Sequence, residues 1–211
     1  MKLTYFGHSF WLIETQGKRI AIDPFDDIGY QIPTDLSADC VAISHDHHDH
    51  NNTALIKGNP VVIKTAGLHE IDTVKITLLP VFHDEQSGKR RGINHLIKIE
   101  TPNLTLLHCG DLGHLPAPEI CQLVIKPDLL FIPVGEIYTL SLKDAWKFIE
   151  QISPTLILPM HYNTIALRFN LGELDTFIGN AQNVIRYNTN SFVVTEQLLS
   201  AQRIIVPNWK E

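Results

Sequence analysis

Cys40-Val41-Ala42-Ile43-Ser44 is followed without a break by His45-Asp46-His47-His48-Asp49-His50. The first five residues read as a short apolar strand. The next six, H-x-H-x-D-H, hold four imidazoles and two carboxylates, the usual ligands of zinc and other first-row divalent cations. Residues two apart in an extended chain point to the same side, so His45 and His47 can grip one ion. Asp49 and His50 lie just beyond and can serve a second. A lone histidine is usually a core or surface residue, but packing gives no reason to crowd this many titratable groups together. The spacing is not the helical H-E-x-x-H arrangement, whose ligands stand four apart on one helix face.

Three later places share this layout. The strand Lys75–Val81 ends at Phe82-His83-Asp84, Leu104–Leu107 at His108-Cys109-Gly110-Asp111, and Thr155–Leu158 at Pro159-Met160-His161. Each delivers a ligand type at the carboxyl end of an apolar strand, where α/β architectures carry their sites. With the hexapeptide they make an economical set of five His and two Asp for two metals.

The chain of 211 residues suits one domain spanning 1–211. Hydrophobic residues at 44% and charged residues at 19% exclude disordered, collagenous and membrane-spanning classes. A chain of this size can bury roughly 70% of the surface its unfolded form exposes, so it needs no disulfide to fold. Seventeen basic against 23 acidic residues leave a formal charge of −6, with no global field for nucleic acid or anionic lipid. Cys40, Cys109 and Cys121 show no paired spacing and suit a reducing compartment. The N-terminal residues lack a signal-like apolar segment, and no apolar run reaches membrane-spanning length, so a cytoplasmic location is expected.

The first half reads as strands: Leu3–Phe6, Phe10–Glu14, Arg19–Asp23, Cys40–Ser44, Val61–Lys64, Lys75–Val81, His95–Glu100 and Leu104–Cys109. The second half alternates. Helices are expected at Pro118–Ile125, Ser141–Ile152 and Leu171–Ile178. Strands are expected at Leu129–Val134, Thr155–Met160, Val184–Tyr187 and Ser191–Thr195. Ser141 can cap its helix, with Asp144 at the capping-box position. The mixture is α/β (α+β), sheets packed face to face with helices outside.

At this point the residues carry a family resemblance. Gly7-His8-Ser9, Asp23-Pro24, the hexapeptide, His83, Gly110-Asp111-Leu112-Gly113-His114, Pro133-Val134-Gly135 and Pro159-Met160-His161-Tyr162 resemble the metallo-β-lactamase-fold hydrolases. The chain is most similar to the compact branch that includes the L-ascorbate-6-phosphate lactonases. The resemblance implies a four-layer αββα sandwich of two similar halves with metals at one edge. It implies that His45, His47 and His83 bind one ion, that Asp49, His50 and His161 bind the second, and that Asp111 bridges them. Asp23 would orient the His loop from behind, as metal-binding imidazoles require. Glu136 departs from the pattern, standing where relatives commonly have glycine. No added arm likens the chain to tRNA-processing nucleases. His47 argues against the redox flavoprotein branch, which usually carries Glu there.

The expected activity is that of a binuclear metal-dependent hydrolase. Two divalent cations about 3.5–4 Å apart, zinc before manganese or iron, would acidify a shared water. The resulting metal-bound hydroxide would attack a small-molecule lactone, ester or thioester, with Asp49 and Asp111 as the catalytic carboxylates. The alternatives are a phosphodiesterase or nuclease-type hydrolase of the same fold, and a metal-binding protein without catalysis. The expected partner is a small-molecule substrate, not nucleic acid or membrane; the oligomeric state stays open. His8, Asp23, His114 and Tyr138 are candidates for supporting or substrate contacts. His48 and His108 read as supporting residues, His69 and His95 as unremarkable, and Cys109 as a buried inert thiol. Lys89-Arg90-Arg91 is either a solvated turn or a contact for an anionic substrate.

Overall fold

Strand residues alternate between two faces, and in the N-terminal sheet the two sets enter different cores. The computed structural model describes residues 1–179 and 181–210. Its first sheet holds β1 (Lys2–Tyr5), β2 (Trp11–Thr15), β3 (Lys18–Ile22), β4 (Cys40–Ala42), β5 (Val61–Ile63) and, from far along the chain, β13 (Ser191–Val193), in the order β13-β1-β2-β3-β4-β5. Leu3, Tyr5, Trp11, Ile13, Ile20, Ile22, Cys40 and Ala42 face the main core, while Leu12, Ala21 and Val41 face a second, smaller cluster.

The second sheet holds β6 (Gly67–Ile71), β7 (Val74–Phe82), β8 (Ile93–Glu100), β9 (Thr105–His108), β10 (Leu129–Pro133), β11 (Leu156–Met160), β12 (Val184–Arg186) and β14 (Arg203–Val206). Their order is β12-β14-β11-β10-β9-β8-β7-β6. The sheets meet face to face at Trp11 and Phe131, whose rings cross edge-on with centroids 4.8 Å apart. β9, β10 and β11 are parallel neighbours, and β14 extends that parallel block. Buried residues of α1 (Pro118–Leu123), α2 (Leu142–Ile152), α3 (Leu174–Ile178) and α4 (Glu196–Leu199) join the same core. Trp146 of α2 stacks on Phe177 of α3 at 4.7 Å.

The opposite outer layer is not built from α-helix. Phe25, Ile28, Tyr30, Leu36, Ala38 and Ile56 pack on the first sheet from irregular chain and one short 3-10 turn, Thr53–Leu55. Other differences from the sequence reading are local. β4 stops at Ala42 rather than Ser44, because the Ser44 amide turns to a side chain instead of a neighbouring strand. The third helix begins at Leu174, not Leu171. β6, β14 and α4 lacked sequence signals strong enough to read: β6 is a solvent-facing edge strand and α4 is a single turn. α2 is capped as expected, Ser141 Oγ accepting the Asp144 amide at 3.2 Å and donating to Asp144 Oδ2 at 2.9 Å. No helix among the described residues is long and apolar enough to cross a membrane.

Phe131 carries the contact between the sheets, and its removal leaves a void that rigid strands cannot fill. Phe131→Ala is expected to lower unfolding free energy by about 3–5 kcal/mol with an unchanged denaturant slope in urea titration. A loss below about 1 kcal/mol would mean that the sheets do not pack through this ring.

Candidate metal centre

The site forms where strands of both sheets end on one rim. β1, β3 and β4 run in one direction in the first sheet, and β7, β9, β10 and β11 in one direction in the second. Their carboxyl ends lead into His8, Asp23, the His45–His50 loop, His83, Asp111, Tyr138 and His161. His8, Asp23 and His161 take left-handed backbone, with φ of 52°, 51° and 51°. Such a conformation costs a non-glycine residue on the order of 1 kcal/mol and persists only where its surroundings enforce it. One enforcing contact is the His8 carbonyl, which accepts the His161 amide at 2.8 Å and the Tyr5 hydroxyl at 3.0 Å. That carbonyl joins the end of β1 to the end of β11.

The ligand-type side chains converge in three overlapping groups: His45, His47 and His83; His45, His50 and Asp111; and His8, His50 and His161. Within each group the ligand atoms lie within 4.8 Å of one another. Asp111 stands at the centre. Its Oδ2 lies 3.3 Å from His83 Nε2, 3.3 Å from His161 Nε2 and 3.8 Å from His45 Nε2, and its Oδ1 lies 3.3 Å from His50 Nε2. Asp49 Oδ2 lies 3.3 Å from His8 Nε2 and 3.8 Å from His50 Nε2. All seven sequence-expected ligand candidates therefore converge in one cluster, of which His47, Asp49, His83, Asp111 and His161 line one cavity. The hexapeptide itself is a bend rather than a continued strand, closed by the His50 amide donating to the His47 carbonyl at 2.9 Å. His45 and His47 still face one another, with ring centroids 4.6 Å apart. Asp46 turns outward and accepts Asn51 Nδ2 at 2.7 Å.

Asp23 sets the tautomers. Ser44 donates twice to its carboxylate, from the amide at 2.7 Å and from Oγ at 2.6 Å, and His50 Nδ1 donates at 3.0 Å. The Ser44 hydroxyl proton is thus committed, so His45 Nδ1, 2.9 Å from Oγ, must be the donor there. In the neutral form both imidazoles consequently turn a bare Nε2 inward. These two nitrogens and Asp111 Oδ1 are buried and make no hydrogen bond, although His50 Nε2 and Asp111 Oδ1 approach to 3.3 Å. Left so, each would cost about 1–3 kcal/mol, and a divalent cation satisfies them directly.

The protonation states fit the same purpose. Burial, then His50, pulls His45 down to about 2. Burial, then His161, pulls His8 down to about 4. Burial opposes ionisation of Asp111 and Asp49, but His161 and His50 around the first, and His8 and His50 around the second, hold both well below the usual carboxylate range. Burial likewise works against charge on His50, yet Asp111 and Asp23 outweigh it and raise His50 well above the usual imidazole range. A bound cation would supply the positive charge that this proton otherwise provides.

The remaining candidates separate cleanly. His8 is fully buried and belongs to the cluster. His48 is exposed at the cavity rim. His108 is a brace: Nε2 donates to the Ser9 carbonyl at 3.0 Å and Nδ1 accepts the Gly110 amide at 3.1 Å. His114 does not face the cavity. Its Nε2 accepts the Phe82 amide at 3.1 Å and its Nδ1 donates to the Leu115 carbonyl at 2.8 Å, which leaves no nitrogen for substrate. Cys109 is fully buried, and burial pushes its thiol up, so it is inert. Glu136 turns away to cap α2, accepting the Leu142 amide at 3.1 Å. His69 is tied to a backbone carbonyl near the sheet edge, whereas His95 donates from Nδ1 to the Ser44 carbonyl at 2.8 Å, directly behind the metal loop.

Three contributors lay outside the sequence reading. Ser44 relays Asp23 to His45. Asn94 accepts the Asp111 amide at 3.0 Å and donates to the Cys109 carbonyl at 2.8 Å, holding the central aspartate. Phe169 walls the cavity and meets His8 edge-on at 5.6 Å. Asn94 alone left a trace in sequence, since β8 inverts at its start: Ile93 is exposed and Asn94 is buried. Gly113 must lack a side chain, because a Cβ there would collide with the His83 carbonyl.

The cavity of about 320 Å³ is lined by His47, Asp49, His83, Asp111, His161 and Phe169, with Arg91 and Tyr138 at its edge. The loop carrying Arg91 is built around Asp84. Its carboxylate accepts amides of Gln86 at 2.7 Å, Gly88 at 3.0 Å, Arg90 at 2.9 Å and Arg91 at 2.8 Å.

Two sheets edged by this cluster define a metallo-β-lactamase fold, and the comparisons agree. The Beta-lactamase superfamily domain matches residues 2–161, and the chain belongs to that superfamily. A Thermotoga maritima protein of the metallo-β-lactamase superfamily superposes with a TM-score of 0.83 at 32% identity, over 98% of this chain and 97% of that one. Within the superfamily, the chain belongs to the UPF0173 metal-dependent hydrolases. The relative from Pelotomaculum thermopropionicum is 30% identical over 197 residues, 78% of this chain and 85% of the relative. The one from Thermococcus onnurineus is 31% identical over 193 residues, again 78% and 85%.

Two outcomes follow from this geometry. Asp23→Asn removes an acceptor for His50 and for Ser44, and is expected to weaken zinc affinity about 10–100-fold in competition with a chromogenic chelator. Unchanged affinity would show that the imidazoles are held otherwise. Burial resists ionisation of Asp84, but its amide donors, those of Arg91 and Arg90 foremost, depress it from 3.8 to about 2. A depressed carboxyl stabilises the fold above its unfolded value, and that stabilisation fades as pH falls from 3.8 towards about 2. Amide exchange at Gly88–Arg91, corrected for intrinsic rates, should therefore gain on the core over that window, and in Asp84→Asn it should already be fast at pH 7.

Proposed function

We propose that this chain is a binuclear metal-dependent hydrolase acting on a small-molecule lactone, ester or thioester. The observation that carries the reading is Asp111, whose two oxygens reach imidazoles of both outer groups. In this assignment His45, His47 and His83 hold one cation, Asp49, His50 and His161 hold the other, and Asp111 is shared. Two divalent ions, with zinc the assignment for an imidazole-rich set, would supply an acidified water and Lewis-acid charge for the developing oxyanion.

The rest of the task falls to the chain. Asp49 sits at the cavity wall, oriented by His8, and is placed to align the attacking water or take its proton. His8 is buried on all sides and serves by holding Asp49. Phe169 and Tyr138 exclude bulk water from one side of the cavity. The volume of about 320 Å³ favours a metabolite over a polymer. Three free, buried cysteines favour a reducing, cytoplasmic setting, and residues 1–211 are read as one domain.

Asp111→Ala is expected to lose one equivalent of zinc by elemental analysis. Its turnover should fall by more than the roughly 100-fold that loss of an outer contact costs. Full activity in this variant would refute the shared role. Wild-type protein that binds two equivalents yet turns over no lactone, ester or thioester would sink the substrate reading.

A further inference from the structure

The three cations of Lys89-Arg90-Arg91 do not share one environment. Lys89 and Arg90 are exposed, whereas Arg91 is half-buried and lines the same cavity as His47, His83, Asp111 and His161. Its guanidinium carbon lies 5.1 Å from the centroid of the Tyr138 ring. Ion pairs engage Arg19, Arg168 and Arg186; among the described residues Arg91 has no such partner. A half-buried guanidinium without a carboxylate ion pair, at the mouth of this cavity, has its charge available to a ligand.

Its placement is fixed on both sides. The Arg91 amide donates to Asp84, the residue after the candidate ligand His83, so that one short loop carries both metal contact and cation. Tyr138 follows β10 in left-handed backbone, with φ of 74°, and supplies the face on which the guanidinium rests. Stacking restrains the side chain in advance and leaves its planar fork of donors free, so less entropy is lost on binding an oxyanion. Phe169 offers an apolar wall to the same cavity. Two divalent cations held as proposed would outweigh the charges of Asp49 and Asp111 and leave the floor positive, which would attract an anion despite the net charge of −6.

We propose that Arg91, stacked on Tyr138, clamps a carboxylate or phosphate group of the substrate at the end remote from the bond that is cleaved. The substrate is then a small anionic molecule with a short apolar middle. This inference rests on the cavity being the substrate site proposed above.

The test is calorimetric binding to the zinc-loaded full chain of three inert probes: butyrate, succinate and 3-phosphonopropionate. Wild type is expected to bind at least one doubly acidic probe about 10-fold more tightly than butyrate, a difference of about 1.4 kcal/mol. The better of the two identifies carboxylate or phosphate. Arg91→Ala should erase that preference, and Arg91→Lys, which keeps charge but not the fork, should retain part of it. Arg90→Ala, which removes the same charge one residue away, should leave the preference within about 2-fold of wild type. The proposal is overturned if wild type does not discriminate, if both Arg91 variants keep the full preference, or if Arg90→Ala erases it equally. The readout is affinity rather than turnover. A clamp that binds in a protein without hydrolytic activity would therefore count against the hydrolase reading alone.

Discussion

Everything at the metal rim hangs from the buried carboxylate of Asp23. A charge with no exposed surface is costly unless each lone pair is used, and here two donors come from Ser44 and one from His50. Those contacts stop β4 after Ala42 and turn the chain into a bend. They also make Nδ1 of His45 and His50 the donor, so that in the neutral form Nε2 of each is bare. A single carboxylate therefore converts a histidine-rich loop, which could adopt many arrangements, into one with its lone pairs aimed at Asp111. Asp23 is itself held in a left-handed conformation at the end of β3, so part of the strain of the site lies in the residue that organises it.

The architecture explains why residues so far apart in sequence can meet. Strands running the same way in both sheets end on one rim, and the contact between Trp11 and Phe131 locks the sheets behind it. The His8 carbonyl and the Asn94 amide group then tie ends of different strands together. The cluster is thereby pre-formed, and binding energy need not be diverted to ordering ligands.

The rim divides its labour between rigid and adaptable parts. Asp111 and the imidazoles of His8, His45, His50, His83 and His161 stand at the ends of buried strands and are almost wholly enclosed, while His47 is more open. Arg91 and Tyr138 come from loops, one organised around Asp84 and the other beside the Glu136 contact that caps α2. Variation in those loops can alter what enters the cavity without disturbing the candidate metal ligands. Glu136 accepts the Leu142 amide at the start of α2 and does not line the cavity.

Much of this could be read from residues alone. Six ligand-type side chains after an apolar strand announced the metal loop, and three later strands ending in His83, Asp111 and His161 pointed to its partners, because side-chain chemistry and strand periodicity are local properties. Asp23 was legible only through resemblance. Ser44 and Phe169 left no trace, since a serine beside a histidine or a phenylalanine in a loop is unremarkable until the chain closes. The same holds for His114, whose motif suggested the cleft and whose ring instead serves backbone. The irregular outer layer over the first sheet and the edge strand β6 escaped for a related reason: both are defined by what covers them, not by their own composition. The sequence by itself determined which chemistry was present and on which strand ends. Only the tertiary structure decided which atoms share a cavity, which tautomers they adopt and which arginine lines that cavity, because those depend on distances between segments that local propensity cannot encode.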